Sequence, residues 1–254
     1  MIFYYTATGN SLYVARMIEE NPRSIPQELK KENLFYRDET IGIVSPIYAG
    51  ELPQSVRRFI QRAKFKAKYI YMVLTYGKVD SVAGVWSNQF CQKQGLHINY
   101  IHTILMVDNY LPSFDMNEEL AIDKEIDKQL EYLKQDIQCR KNDIPLPTQE
   151  GQMLYETASQ RFKEHPEFNN GQSIIIGEKC VGCSICQQVC PVGNILIENN
   201  HAKRISETCD FCLSCVQNCP FQAMGLKKEK NSKARYRNPN ITLKDIVKSN
   251  KQGD

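Results

Sequence analysis

The sequence contains no apolar run that approaches the roughly 18 residues needed to span a membrane. No basic segment precedes the apolar stretch from Met1 to Thr6, so this stretch is not expected to act as a signal peptide. The balance of 32 Lys and Arg against 29 Asp and Glu leaves a formal charge of only +3, which indicates neither a nucleic-acid nor a membrane partner. From these absences we expect a soluble cytoplasmic protein.

Histidine is scarce, and the four histidines show neither metal-ligand spacing nor a catalytic triad. We therefore predict no catalytic residue. Apolar residues make up 42% of the chain, which excludes a disordered protein because this fraction can build a substantial core. Two of the ten cysteines, Cys91 and Cys139, fall on predicted helices and are interpreted as small core hydrophobes.

The other eight cysteines lie between residues 180 and 219 in two runs of identical spacing. Each run has three cysteines separated by two residues, then a fourth after three more residues, followed directly by proline. In such runs three thiolates hold one [4Fe-4S] cluster, and the fourth reaches the neighbouring cluster. We expect one cluster at Cys180, Cys183, Cys186 and Cys219, and a second at Cys209, Cys212, Cys215 and Cys190.

Two zinc sites are the competing interpretation, because paired Cys-x-x-Cys motifs also bind zinc. A zinc site needs only two pairs, whereas a third and a fourth cysteine recur here at fixed steps in both runs. Over residues 172–226 the chain resembles the bacterial two-cluster ferredoxins, in which two pseudo-symmetric halves enclose a pair of clusters. It departs from many of them at Ser184, where glycine is common, and this change removes no ligand.

Short apolar runs alternate with amphipathic stretches from residue 1 to about residue 142. The runs are rich in β-branched and aromatic residues and predict buried strands, and the stretches between them predict helices. This alternation indicates an α/β domain with a parallel sheet covered on both faces. The predicted strands are Ile2 to Thr6, Ile41 to Pro46, Tyr69 to Thr75 and Ile101 to Val107, with a weaker candidate at Arg23 to Gln27, and the predicted helices cover Asn10 to Glu20, Val56 to Ala63 and Val82 to Gln94.

A polar loop, Thr6-Ala7-Thr8-Gly9-Asn10-Ser11, joins the first predicted strand to the first predicted helix. Hydroxyls, glycine and backbone N–H groups at a helix N-terminus suit a phosphate, because the unpaired amides and the helix dipole face the anion. The loop has neither the lysine of a nucleotide P-loop nor the paired glycines of a dinucleotide fold, so a mononucleotide fits better. It resembles the phosphate loop of flavodoxins, which implies FMN and a doubly wound sheet of order 2-1-3-4-5.

Two further loops follow the third and fourth strands of that sheet. Pro46-Ile47-Tyr48-Ala49-Gly50 and Thr75-Tyr76-Gly77 each offer a tyrosine that can stack on isoalloxazine and a glycine that lets the backbone approach it. Taken alone, each is equally consistent with an ordinary surface turn. The flavodoxin resemblance implies that Tyr48 and Tyr76 lie beside the flavin ring.

The rest of the chain is divided by its composition. Isoleucine and leucine at helical spacing predict one long surface helix over residues 117–141, and two prolines then break the pattern. Residues 143–171 are interpreted as a linker that contains a short helix from Gly151 to Lys163. Residues 227–254 are basic, and we predict a tail that is solvated or docks a partner, with solvation favoured.

As a whole, the order of motifs resembles the flavodoxin-domain ferredoxins of anaerobic bacteria and archaea. The resemblance implies an FMN domain over residues 1–142 and a two-cluster ferredoxin-like α+β domain over residues 172–226. It further implies a protein that relays low-potential electrons between the clusters, FMN and a redox partner protein. Two alternatives stay open: an FMN-dependent reductase of a small substrate, and a flavodoxin-like domain that has lost FMN and only docks the ferredoxin.

Overall fold

Strands and helices alternate through the N-terminal part of the protein. The computed structural model describes residues 1–168 and 170–253. Every strand that the hydrophobic pattern predicts is present, although the weakest candidate is reduced to two residues. Two additional short strands were not predicted. In chain order the strands are β1 (Ile2–Tyr4), β2 (Arg23–Ser24), β3 (Phe35–Arg37), β4 (Thr40–Pro46), β5 (Lys64–Lys66), β6 (Tyr69–Tyr76) and β7 (Tyr100–Leu105).

Five of these strands form one parallel sheet in the order β2-β1-β4-β6-β7. Counted along the chain, the order is 2-1-3-4-5, which confirms the predicted flavodoxin-like fold. The central strands β4 and β6 are buried over nearly their whole length. The unpredicted strands β3 and β5 pair with each other in parallel as a separate ribbon.

Helices cover both faces of the sheet, as a fully parallel sheet requires. On one face Ile43 and Met72 share a core with Phe59, and on the other Val73 shares a core with Leu12. Among the described residues, no helix is both long and apolar enough to cross a membrane. The helices of this region are α1 (Asn10–Ile18), α2 (Ile25–Glu28), α3 (Gln54–Arg62), α4 (Ala83–Lys93), α5 (Met116–Leu120), α6 (Ile126–Gln138) and α7 (Gln149–Glu164).

The prediction of a single helix over residues 117–141 is wrong, because α5 and α6 are separate helices. The second helix, α6, begins directly after Glu125, whose backbone is left-handed with φ of 47°. The Asp123 carboxylate accepts a hydrogen bond from the Glu125 N–H at 2.8 Å and stabilises this turn. Next to this turn, Lys124 and Glu119 form a buried ion pair. Ile122, which the helical pattern predicted to pack against the protein, is 46% exposed.

The cysteine module consists of short strands and single-turn helices. Its elements are β8 (Ile174–Ile176), α8 (Ile185–Gln188), β9 (Ile195–Glu198), β10 (His201–Arg204), α9 (Ser214–Gln217) and β11 (Met224–Leu226). Two antiparallel strand pairs, the hairpin of β9 with β10 and the pairing of the first strand β8 with the last strand β11, flank α8 and α9. Each of these helices follows the second cysteine of one run, which gives the module the repeated α+β form that its sequence predicts.

The basic residues after β11 do not form the solvated or partner-docking tail that we predicted. They return to the N-terminal domain and end in α10 (Leu243–Asn250), which packs the fully buried Ile246 in the same core as Leu12. Thr242 and Asp245 form a capping box at the start of α10, and Arg16 of α1 pairs with Asp245 at 2.5 Å. We call residues 234–250 the C-terminal segment.

Gly42 of β4 tests the packing of the sheet. A Cβ at this position would stand 2.5 Å from Cζ of the Tyr71 ring, which lies across the glycine from β6. We expect Gly42→Ala to lower the free energy of unfolding by about 1–3 kcal/mol, because the ring must leave its site. Urea denaturation under anaerobic conditions, followed by circular dichroism, measures this change.

Gly177→Ala is the control, because its Cβ would meet nothing nearer than the Ala223 carbonyl oxygen at 3.6 Å. We expect this variant to stay within about 0.5 kcal/mol of the unaltered protein. Equal stability of the Gly42→Ala and Gly177→Ala variants would contradict the packing of Tyr71 over Gly42.

Candidate iron–sulfur centre

The first of two cavities in the cysteine module has an empty volume of about 300 Å³. Three of its cysteines come from the first run, two on the loop before α8 and the third, Cys186, in α8 itself. The fourth comes from the end of the second run, directly before Pro220. Ile185, Ile197, Phe221 and Met224 add an apolar wall. The four cysteines around this cavity are Cys180, Cys183, Cys186 and Cys219.

The second cavity, of about 390 Å³, repeats this arrangement with the two runs exchanged. Three cysteines come from the second run, and the fourth precedes Pro191 at the end of the first run. The structure therefore brings the eight cysteines into the same two groups of four that the spacing predicts. The cysteines around the second cavity are Cys190, Cys209, Cys212 and Cys215.

The donor chemistry of both cavities suits a cluster. Four thiols surround each cavity, and soft sulfur is the ligand that iron–sulfur clusters require. In the described part of the chain, no three Cys, His, Asp or Glu side chains converge closely enough to hold a single metal ion. Four cysteines line each cavity together with apolar side chains, and this donor set fits a [4Fe-4S] cluster in each.

Backbone N–H groups already point at three of the sulfurs. Asn194 donates to Sγ of Cys190 and Ala202 donates to Sγ of Cys180, both at 3.3 Å. Phe211 donates to Sγ of Cys209 at the same distance. Such bonds stabilise negative charge on sulfur, which a cluster and its thiolates carry.

Burial opposes deprotonation of the bare thiols. It raises the pKa of Cys186 and of Cys209 to about 11, and it raises the pKa of Cys212 and Cys215 well above the ordinary thiol value. Without a metal these four thiols are therefore protonated at neutral pH. Cluster assembly has to displace their protons, which couples iron binding to proton release.

The two cavities differ in their exposure. Cys183 of the first cavity is exposed, whereas Cys212 of the second packs against the core of the N-terminal domain. Tyr48 lies beside this thiol: burial raises the pKa of its hydroxyl well above the ordinary value, and the nearby Cys212 and Asp210 raise it further. The second cavity is thus seated on the N-terminal domain, and the first faces outward.

The predicted phosphate loop, residues 6–11, lies at the contact between the two domains and is buried throughout. Its backbone carbonyl oxygens accept hydrogen bonds from the C-terminal half of the chain. Asn238 donates its N–H to the Thr8 carbonyl oxygen at 2.8 Å. Ser214 Oγ donates to the Ala7 carbonyl oxygen at 2.8 Å. The loop is therefore covered by α9 and by the C-terminal segment.

The side chains of the loop are paired as well. Oδ1 of Asn10 accepts from the Tyr236 hydroxyl at 2.6 Å and from Nδ2 of Asn238 at 3.2 Å. Thr8 Oγ1 accepts from Nδ2 of Asn109 at 2.6 Å, and the Ser11 hydroxyl pairs with that of Thr75 at 2.8 Å. These groups were predicted to contact the FMN phosphate, and each contacts the protein itself.

Gly9 leaves no room above the loop. Its φ of +106° requires glycine, and a Cβ there would stand 2.9 Å from Cβ of both Asn238 and Ile241. Residues 6–11 thus do not fit an FMN phosphate in this structure. The residues predicted to contact FMN, Thr6, Ala7, Thr8, Gly9, Asn10 and Ser11, are thus all buried at this contact with the C-terminal half of the chain.

The two loops predicted to flank the flavin ring are also covered. Ile47 and Tyr48 are half-buried against the core, and a Cβ added at Gly50 would stand 3.0 Å from the Tyr155 ring of α7. Gly77 lies against Asp108, which follows β7. The predicted ring contacts Pro46, Ile47, Tyr48, Ala49, Gly50, Thr75, Tyr76 and Gly77 therefore lie at the carboxyl edge of the sheet as expected. Gly50 lies next to α7 and Tyr48 next to Cys212 of the cysteine module, whereas Ala49 is exposed.

The sequence prediction missed the residues that cover the loop, chiefly Ser214, Tyr236, Asn238 and Asn250. Asn250 Nδ2 donates to the Thr6 carbonyl oxygen at 2.9 Å. One signal pointed to this packing: Thr242 and Asp245 have capping-box spacing ahead of the apolar residues of α10. Nothing in the sequence indicated which surface α10 covers.

Comparison with known proteins identifies the cysteine module. Residues 172–221 match the family described as "4Fe-4S dicluster domain". Pyruvate synthase subunit PorD of Methanocaldococcus jannaschii is 30% identical over 78 residues, which cover 30% of this chain and 91% of that protein. An uncharacterized ferredoxin of the same organism is 33% identical over 67 residues, which cover 24% of this chain and 42% of that protein. The chain thus spans less than half the length of this second relative.

A solved structure overlaps the chain loosely. Rubredoxin oxygen:oxidoreductase from the anaerobe Desulfovibrio gigas covers 55% of this chain with 36% of its own, at 7% identity and a TM-score of 0.31. An overlap of this quality says nothing about cofactor or activity. The fold assignment therefore rests on the strand order of the sheet.

Ser214 tests the contact between the domains. Ser214→Ala removes the donor to the Ala7 carbonyl oxygen and leaves that oxygen buried without this partner. We expect the free energy of unfolding to fall by about 1–3 kcal/mol. Anaerobic urea denaturation monitored by circular dichroism measures the loss.

Ser87→Ala is the matched control, because Ser87 is equally buried and its Oγ has no hydrogen-bond partner. We expect this substitution to change stability by less than about 0.5 kcal/mol. If both serine variants unfold at the same urea concentration, the Ser214 bond contributes nothing to the joining of the domains.

Proposed function

Since the chain belongs to the 4Fe-4S dicluster ferredoxin family through residues 172–221, we propose that it carries two [4Fe-4S] clusters and transfers single electrons between redox partner proteins. The observation that carries this proposal is the pair of cavities, each surrounded by four cysteine sulfurs of which one comes from the other run. Electron transfer is the chemistry that such clusters supply when bound.

We propose the same ligands that surround the cavities. Each run supplies three thiolates to its own cavity, and the proline after the fourth cysteine turns the backbone toward the other cavity. The burial of the second cavity limits the access of water to its sulfurs, whereas Cys183 leaves the first cavity open on one side. The N–H groups of Asn194, Ala202 and Phe211 stabilise the charge of the ligands.

The two cavities adjoin each other, which suits transfer between two centres. Burial is the main cause of the raised pKa of Cys215 at the second cavity, and Cys186 at the first cavity is near enough to add to it. The helices α8 and α9 that carry these two residues are in contact. The two proposed redox sites therefore lie side by side.

We propose no step through FMN, because α9 and the C-terminal segment cover residues 6–11. We do not propose a reductase of a small substrate either, since such an enzyme requires an open face of a flavin. The covered loop favours a flavodoxin-like domain that docks the ferredoxin module.

Anaerobically purified protein tests the proposal. We expect about eight iron and eight sulfide per chain, and the uptake of about two electrons in a reductive titration. Zinc in place of iron and sulfide would reject the proposal. Clusters that no low-potential reductant can reduce would reject the electron-transfer part of it.

Cys183→Ala tests the ligand assignment, because Cys183 is exposed and its removal leaves no core cavity. We expect the iron content to fall from about eight to about four per chain, as one cluster loses a ligand while the other is retained. Cys139→Ala is the control: the prediction that Cys139 is a core residue is wrong, since this cysteine is exposed, and it lies outside both cavities. Full iron content in the Cys183→Ala protein would contradict the assignment.

A further inference from the structure

We propose that residues 6–11 of the flavodoxin-like domain are a binding site for the chain's own C-terminal segment, which takes the place of a flavin nucleotide there. This inference does not depend on the number of clusters or on their redox role. It assigns a function to the loop and to residues 234–250, which the electron-transfer proposal leaves without one.

The chemistry of the contact is the opposite of phosphate binding. A phosphate is bound by donors, mainly the N–H groups at the start of a helix. Here the loop presents acceptors: the Thr6, Ala7 and Thr8 carbonyl oxygens and Oδ1 of Asn10. Each of them receives an N–H or O–H donor from Ser214 or the C-terminal segment.

Asn10 is central to this contact. Its Oδ1 accepts two hydrogen bonds, from the Tyr236 hydroxyl and from Asn238, while its Nδ2 donates to the Val107 carbonyl oxygen at 3.1 Å. Asn238 in turn donates its backbone N–H to the Thr8 carbonyl oxygen. Two asparagines and a tyrosine, all buried, thus form one closed network.

The C-terminal segment also joins the loop to the cysteine module. Nδ2 of Asn250 lies between two carbonyl oxygens, that of Thr6 in the loop and that of Val189 after α8, at 2.9 and 3.3 Å. Gln217 of α9 accepts from the Tyr236 N–H at 2.8 Å and donates to the Asn109 carbonyl oxygen at 3.0 Å. The segment therefore connects the sheet edge to both cavities.

Flavin content is the first test. We expect the full chain, purified anaerobically, to release no flavin on acid treatment. When the protein is added to a solution of FMN, we expect the FMN fluorescence to stay unquenched. One FMN bound per chain would overturn the proposal. Addition of excess FMN should also leave hydrogen exchange in residues 243–250 unchanged. Faster exchange with FMN would show that the segment is a lid over a flavin site.

The Asn238→Asp variant is the second test. It keeps Oδ1, which accepts from the Asn240 N–H, but it loses the donor to Asn10 and places a charge beside Oδ1 of Asn10. We expect amide exchange in residues 243–250 to rise about tenfold or more. The same rise is expected for Asn10→Ala, which removes the acceptor from the other side.

Asn240→Ala is the matched control, because Asn240 is exposed and lies on the same segment. We expect its exchange to equal that of the unaltered chain. Combining Asn10→Ala with Asn238→Asp should add little to either change, since both break one network. Unchanged exchange in the Asn238→Asp protein would overturn the proposal.

Discussion

The C-terminal module depends on the exchange of one cysteine between its two runs. Neither run can surround a cavity alone, because its fourth thiol lies at the other cavity. The two halves of the module are therefore held in one relative position, with α8 against α9. The same exchange fixes the outward first cavity relative to the second cavity, which faces the N-terminal domain.

The carboxyl edge of the parallel sheet receives the module. In a doubly wound fold this edge is where ligands bind, since the strand order reverses there and the loops separate. In this protein the same crevice is filled by α9 and by Tyr236, Asn238 and Asn250. The crevice in which this fold commonly binds a small molecule is occupied here by a protein domain. The contact is made by hydrogen bonds between neutral, buried groups.

Much of this structure could be predicted from the sequence. The alternation of strands with helices predicted a parallel sheet, and its order was implied by the resemblance of the polar loop to the phosphate loop of flavodoxins. The cysteine spacing predicted the two groups of four, because the chemistry of a cluster restricts that spacing strongly. The break between α5 and α6 could not be predicted, since Glu125 adopts a left-handed backbone that its residue type does not favour. The covering of residues 6–11 could not be predicted for another reason. The sequence of such a loop is the same whether the loop contacts a nucleotide or an asparagine more than 200 residues away in the chain.

The position of α10 in the chain has a consequence for biogenesis. Its residues leave the ribosome after both cysteine runs, and domains fold in the order in which they are synthesised. The hydrogen bonds of Asn250 to the Thr6 and Val189 carbonyl oxygens, which join the sheet edge to the end of α8, therefore form last. All eight cysteines of the module have been synthesised before this connection closes.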